Sequence, residues 1–284
     1  MIKKLSVIGA GTMGAGIAQV AIEKGVEVTI RDIDDRFVEK GMLTITNFLG
    51  KKLEKGRLTK EQYNSILGRL KGTTSLETAV SGTDMVIEAV IEDMGLKQEV
   101  FTVLDRFCPA EVILASNTST LSITQIASVT KHPERVLGTH FFSPVPVMKL
   151  VEVISGEKTD GQVLIAAMEI MTALGKVPVK SKDVPGFIVN RFLCLLYNEA
   201  ANQIYNGYAT PQDIDLGLKL GSNHPMGPVE IMDMAGVDVV NSALKALYEM
   251  TGEERYKPSP LFDKMIKENK LGRKTGCGFY DYSK

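Results

Sequence analysis

Leu5-Ser6-Val7-Ile8-Gly9-Ala10-Gly11-Thr12-Met13-Gly14 is the stretch that decides the fold. Leu5 to Ile8 makes a short buried-strand pattern, and glycines at 9, 11 and 14 follow at once. Residues 13–24 then read as a helix rich in small side chains, ending at Gly25. Residues 26–30 read as a second strand, closing on Arg31-Asp32. Each part has a physical task. Gly9 allows the tight strand-to-helix turn, Gly11 lets a pyrophosphate approach the backbone, and Gly14 lets helix and strand pack closely. The helix start at Thr12 and Met13 supplies unpaired N–H groups and the positive dipole end that phosphates need. Asp32 falls where a carboxylate can accept hydrogen bonds from ribose hydroxyls. A lone GxGxxG pattern is weak, but strand, glycines, helix, second strand and acid arriving in order identify a dinucleotide-binding half. Asp32 should repel a 2′-phosphate, which favours NAD over NADP. Arg31 beside it is either a cation that softens this preference or a solvated surface charge.

Working outward, a long amphipathic stretch covers residues 35–56, and Thr59 can cap a following helix to about Leu70. Lys51 and Lys55 share a face by i,i+4 spacing. They are either a solvated face or a site for an anionic substrate tail, such as the phosphates of a coenzyme A ester. Further strands are expected at 85–88, 112–115 and 135–139, with helical segments at 96–107 and 122–129 between them. That alternation predicts an α/β fold, a Rossmann-like doubly wound sheet. The loops after strand carboxyl ends should line the ligand crevice. They carry Glu88-Ala89-Val90-Ile91-Glu92, then Ser116-Asn117-Thr118-Ser119-Thr120, then His140.

His140 opens the second telling stretch, His140-Phe-Phe-Ser143-Pro-Val-Pro-Val-Met-Lys-Leu-Val-Glu152. Two prolines force a turn, because each lacks a backbone donor and fixes φ. The chain re-enters an extended segment, 147–154, whose alternation puts Glu152 on a face with Leu150 and Ile154. A carboxylate there is costly to bury without a hydrogen-bond partner. The histidine that the turn can fold back beside it is the candidate, and such a pair moves protons near neutral pH. The other histidines, His132 in a polar loop and His224 in a proline turn, are not followed by a strand-borne carboxylate.

Beyond a helix at 161–174 and a short strand at 177–179, the charged Pro-Gly segment 181–186 reads as a domain junction. The expected division is 1–184, the dinucleotide-binding domain, and 185–284, an all-helical domain for substrate binding and dimerisation. Its helices are expected at 187–205, 211–220, 229–250 and 260–268. Asn190 shares a helical stripe with Phe187, Cys194 and Tyr197. It is either a buried amide bonded to backbone or an amide that reaches substrate. These apolar helices exceed what one small domain needs to bury, which points to a homodimer or higher homo-oligomer.

The whole-chain properties exclude several classes. The 284 residues carry a formal net charge of −1, with no electrostatic reason to expect nucleic acid or an anionic membrane as partner. Three cysteines, far apart and without a CxxC pair, argue against a zinc site or disulfide framework and for a reducing, cytoplasmic compartment. No signal-peptide core or membrane-length apolar run is visible.

With these motifs in view, the sequence resembles the 3-hydroxyacyl-CoA dehydrogenase family along essentially its whole length. The resemblance rests on Gly-Ala-Gly-Thr-Met-Gly (9–14), Ser-Asn-Thr-Ser (116–119), the His140 to Glu152 stretch and Pro-Gly-Phe-Ile-Val-Asn-Arg (185–191). Asn-His-Pro-Met-Gly-Pro (223–228) and Leu-Gly-Arg-Lys-Thr-Gly-Cys-Gly-Phe-Tyr (271–280) complete it. The resemblance implies His140 as catalytic base, Glu152 as its orienting carboxylate, and Ser119 and Asn190 as hydrogen-bond partners of the substrate oxygen. It also implies that Asp32, Glu92, Lys97 and Lys274 contact the nicotinamide dinucleotide, with Asn117 and Ser143 beside it. The implied reaction is the reversible oxidation of (S)-3-hydroxybutanoyl-CoA to acetoacetyl-CoA. Two positions depart from the family pattern: Ser143 stands where Asn is common, and Leu195 where a helix proline is frequent. Two other readings are a dehydrogenase for a non-thioester 3-hydroxy acid and a non-catalytic dinucleotide-binding protein.

Overall fold

The computed structural model describes residues 2–283 and divides into two compact units, residues 1–184 and 185–284. The first is built on one eight-stranded sheet. Its strands are β1 (Lys4–Ile8), β2 (Glu27–Arg31), β3 (Leu70–Thr73), β4 (Met85–Glu88), β5 (Ile113–Ser116), β6 (Val136–Phe141), β7 (Leu150–Ser155) and β8 (Val177–Lys182), in the order β3-β2-β1-β4-β5-β6-β7-β8. The helices are α1 (Thr12–Glu23), α2 (Asp35–Glu54), α3 (Lys60–Leu67), α4 (Leu76–Val80), α5 (Met94–Phe107), α6 (Ile123–Ala127) and α7 (Gly161–Ala173). The order reverses direction between β1 and β4, the switch point at which doubly wound sheets open a crevice. The core is made where Ile17, Ala18, Ala21 and Ile22 of α1 meet Leu5, Val7, Val28 and Ile30. The expected α/β class is the one found.

Strands β3 to β6 run parallel through the series, β7 is antiparallel to β6, and β8 is parallel to β7. The link of residues 142–149 is too short for a crossover, which takes a dozen or more residues, so the chain must reverse. Strand β7 starts at Leu150 rather than at 147, because Val147 and Met148 both donate to the Pro144 carbonyl in the turn. A second difference lies at residues 68–73. The helix capped by Thr59 stops at Leu67, with a reciprocal Thr59–Gln62 capping box at its start. Leu70 then pairs with Val28, and Gly72 lies where a Cβ would come within 2.5 Å of Val38.

The second unit is helical: α8 (Val189–Tyr205), α9 (Pro211–Gly221), α10 (Pro228–Ala235), α11 (Val237–Thr251) and α12 (Pro260–Lys267). Cys194, Tyr197, Ala201, Val229, Met232, Leu244 and Phe262 form its core. The single helix expected at 229–250 is two, broken at Gly236, whose φ of +105° an L side chain rarely adopts. Phe187 is buried but has φ +48° and precedes α8, so it does not share the helical stripe of Asn190, Cys194 and Tyr197. Among the described residues no helix is long and apolar enough to cross a membrane.

Candidate active site

The glycine turn separates into packing and open positions. A Cβ on Gly9, at φ +108°, would come within 2.5 Å of Ala89 O, and one on Gly14 within 1.8 Å of Gly9 O. Both glycines are demanded by backbone approaching backbone. A Cβ on Gly11 would meet nothing within 4 Å. That open side lies at the start of α1, where no side chain among the described residues caps the first amides. Asp32 is held by two backbone donors, Ala10 N–H to Oδ2 and Ile33 N–H to Oδ1, both at 2.7 Å. A cleft of about 220 Å³ opens here, lined by Gly11, Thr12, Asp32, Phe37 and Lys40 among others. Uncapped amides, open space at Gly11 and a fixed acid suit a dinucleotide's pyrophosphate and ribose. Arg31 Nε donates to Thr74 O at 3.0 Å, which ties its guanidinium to the segment after β3. Lys40, which sequence reading passed over, is a cation lining the cleft with Asp32.

Next in the sheet, the carboxyl ends of β4 and β5 share a buried polar cluster. Glu88 is fully buried; its Oε1 accepts from Val90 N–H and Lys97 Nζ at 2.7 Å each, and its Oε2 from Ser116 Oγ at 2.6 Å. Lys97 is itself 0% exposed and lies 3.5 Å from Glu92. Glu92 Oε1 accepts from Thr118 Oγ1 at 2.6 Å, Ser119 N–H at 2.7 Å and Thr120 N–H at 3.1 Å. Burial pushes the Glu92 carboxyl up, but the Thr118 hydroxyl, the Lys97 charge and the two amides together outweigh it and hold it below its ordinary range. In the sequence Glu88 reads as the last residue of an expected strand and the first of the loop after it. It organises the cluster because adjacent strands bring Lys97 and Ser116 to it.

At β6 the antiparallel register sets His140 directly opposite Glu152. Opposed residues of an antiparallel pair present their side chains on one face. The imidazole Nδ1 therefore lies 2.8 Å from Glu152 Oε2, with the histidine 5% and the glutamate 0% exposed. The Phe142 ring sits 4.5 Å from the imidazole centroid. Asn117 ties this strand to its neighbour: its Oδ1 accepts from Phe141 N–H at 3.0 Å, while its own N–H donates to Glu88 O at 2.7 Å. Ser143 is exposed and joined to Pro144 by a cis peptide bond. Asp32, the glycine turn, Glu92, Lys97, Asn117, Ser119 and His140 thus lie in a row along the carboxyl ends of β2, β1, β4, β5 and β6. Lys51 and Lys55 do not join that row. They are exposed at the end of α2, where their neighbour Lys52 pairs at 2.6 Å with Glu23 in the last turn of α1, away from Gly11.

In the second unit Asn190 lies in the first turn of α8, half-buried. Lys274 Nζ is 2.5 Å from Asp238 Oδ1, at the start of α11. Gly227 and Gly278, in the motifs at 223–228 and 271–280, have folding roles. Buried Asp215 accepts from Val229 N–H, Glu230 N–H and the Tyr280 hydroxyl, capping α10. Buried Asp233 accepts from Phe279 N–H and Tyr280 N–H at 2.9 Å each. A Cβ on Gly227 would strike Asp215 and one on Gly278 would strike Asp233, so these glycines admit the carboxylates.

A dinucleotide turn in line with a buried histidine–carboxylate pair fits an oxidoreductase, which is the class this chain falls in. Residues 4–184 match the model for the 3-hydroxyacyl-CoA dehydrogenase NAD binding domain, and residues 186–282 that for the C-terminal domain of the same enzymes. The chain belongs to the 3-hydroxyacyl-CoA dehydrogenase family, and its cofactor is NAD(H). It is 45% identical over 281 residues to a probable 3-hydroxybutyryl-CoA dehydrogenase of Bacillus subtilis, covering 99% of this chain and 98% of that one. It is 44% identical to the 3-hydroxybutyryl-CoA dehydrogenase of Clostridioides difficile, covering 99% and 100%. The crystal structure of (S)-3-hydroxybutyryl-CoA dehydrogenase from Ralstonia eutropha superposes with a TM-score of 0.96 at 43% identity, covering all of both chains.

Proposed function

We propose that this chain interconverts (S)-3-hydroxybutanoyl-CoA and acetoacetyl-CoA with NAD(H), using His140 and Glu152 as its acid–base pair. The observation that carries the reading is the buried 2.8 Å bond between His140 Nδ1 and Glu152 Oε2, on the strand next to the Ser116–Thr120 loop. The activity for which the bacterial relatives are named supports the substrate. When bound, the dinucleotide supplies the hydride carrier. Gly11, Thr12 and Met13 hold its pyrophosphate at the turn that Gly9 and Gly14 shape, Asp32 its ribose, and Glu92, Asn117 and Ser143 the rest, with fully buried Lys97 acting through Glu92. Asp32 favours NAD over NADP, and Lys40 in its cleft is a cation of opposite effect.

In oxidation His140 accepts the C3 hydroxyl proton at Nε2, while Glu152 accepts Nδ1–H and stabilises the imidazolium. In reduction the imidazolium returns that proton to the C3 oxygen. Ser119 hydrogen-bonds the same oxygen and holds the pose, and Asn190 is the substrate-binding amide of the helical unit. Lys51 and Lys55 are the surface cations available to the coenzyme A phosphates. The helical unit binds substrate and forms a homodimer, in a cytoplasmic enzyme with neither nucleic acid nor membrane as partner. A non-thioester 3-hydroxy acid is disfavoured, because residues 187–205 offer no lysine as an alternative acid–base group.

His140→Gln tests the reading. NADH binding, followed by fluorescence, should be retained, while acetoacetyl-CoA reduction falls on the order of a thousandfold. A near wild-type rate would remove His140 as the base.

A further inference from the structure

The turn between His140 and Glu152 has carbonyls that its own residues do not satisfy. Residues 143–148 read Ser-Pro-Val-Pro-Val-Met, and neither proline has an N–H to donate. Val147 and Met148 N–H both go to Pro144 O, at 2.9 and 3.0 Å. The carbonyls of Val145 and Met148 are met by Lys176 Nζ, which donates to both, the latter at 2.8 Å. Lys176 stands just before β8 and is 7% exposed. Burial pushes its ammonium below the ordinary lysine range. An ammonium is costly to bury, and an apolar side chain would avoid that cost but leave both carbonyls without this donor. Its burial there calls for a reason.

The other side of the turn supplies one. Val145 is 2% exposed and packs on α1 so closely that a Cβ on Gly16 would come within 2.8 Å of Val145 Cβ. Gly16 follows Gly14 on the helix whose first turn faces the open side of Gly11. The turn is therefore held between the Lys176 ammonium and the glycine-turn helix, with His140 and Phe142 at its entry.

We propose that Lys176 is a positioning residue: its ammonium fixes the 143–148 turn against α1, which sets the Phe142 ring on the His140 imidazole and holds Ser143 at the cofactor crevice. This rests on the reading of His140 as the acid–base group. Lys176→Met keeps the apolar stem and removes the ammonium. In the full-length protein, kcat should fall about tenfold or more and the NADH Kd should rise several-fold, with the acetoacetyl-CoA KM little changed. Lys176→Arg, which keeps a cation and its donors, should recover part of both losses. If the Met variant does not fold, Lys176→Gln, with amide donors for the same carbonyls, should give intermediate values in the same assays. A lowered Tm with kcat and NADH Kd within about twofold of wild type would make Lys176 a fold staple only and overturn the proposal. The NADH titration needs no turnover, so its result is independent of whether His140→Gln abolishes activity.

Discussion

Replacing Glu152 by Gln keeps the size of a fully buried side chain and removes the charge opposite His140. With charge centres about 4 Å apart and an effective dielectric near 20, the imidazolium–carboxylate attraction is about 4 kcal/mol. If that attraction develops as the imidazolium forms, its loss slows the reaction on the order of a thousandfold. A glutamine can also turn its amide toward Nδ1 and place the ring proton on Nε2, the wrong tautomer for a base. The equivalent error in a serine-protease triad lowers kcat roughly ten-thousandfold. The two directions should separate the effects. Oxidation of the hydroxyacyl ester creates the imidazolium during the reaction and takes the loss in kcat. Reduction starts from the imidazolium and returns its proton, so its deficit in kcat should differ from that of oxidation. NADH absorbance followed in both directions measures this, with an NADH titration to show that cofactor binding is intact. Oxidation within about threefold of the wild-type rate would refute the role given to Glu152.

Asp32→Asn should raise the KM for NADH about tenfold and narrow the margin over NADPH, since the charge that repels a 2′-phosphate is gone. Steady-state rates with both cofactors read this, and a wild-type preference for NADPH would overturn the assignment. Glu92 supplies a pH dependence whose sign follows from its lowered carboxyl. A depressed carboxylate stabilises the fold above its unfolded pKa, and that contribution is lost as pH falls through the folded value. Hydrogen exchange of Ser119 and Thr120 amides should therefore quicken, relative to the strands, in the range below about pH 4. Glu92→Gln should remove that acid-dependent step; its persistence in the variant would assign it to another group.

What the sequence disclosed follows from how local each feature is. Gly14 is forced by a contact within one strand–turn–helix unit and Gly9 by its φ of +108° in the same turn, so the motif alone gave their reason, although the Ala89 carbonyl that also closes on Gly9 comes from after β4. His140 and Glu152 were legible as neighbours because a short proline turn and strand alternation leave few other arrangements. Strand β3 was not legible. Leu70-Lys71-Gly72-Thr73 buries one apolar residue, and the fit of Gly72 depends on Val38 and Met42 of a helix far back in the chain. The break at Gly236 was hidden inside an amphipathic pattern that runs evenly through both helices.

The buried ions fall on the illegible side for the same reason. Glu88 looks like one more acid after a strand until β5 brings Ser116 to it and α5 brings Lys97. Lys176 looks like a surface lysine before a short strand until β8 pairs with β7 and sets it under the proline turn. Both hold loops by charge, Glu88 through a loop amide and Lys176 through loop carbonyls, so each loop has one arrangement that satisfies these groups. Motif residues name the groups that would touch cofactor and substrate. The separation between those groups is set by buried ions that no motif contains. Substitutions at Glu88 or Lys176 should therefore change rate through geometry, with every group in the carboxyl-end row still present.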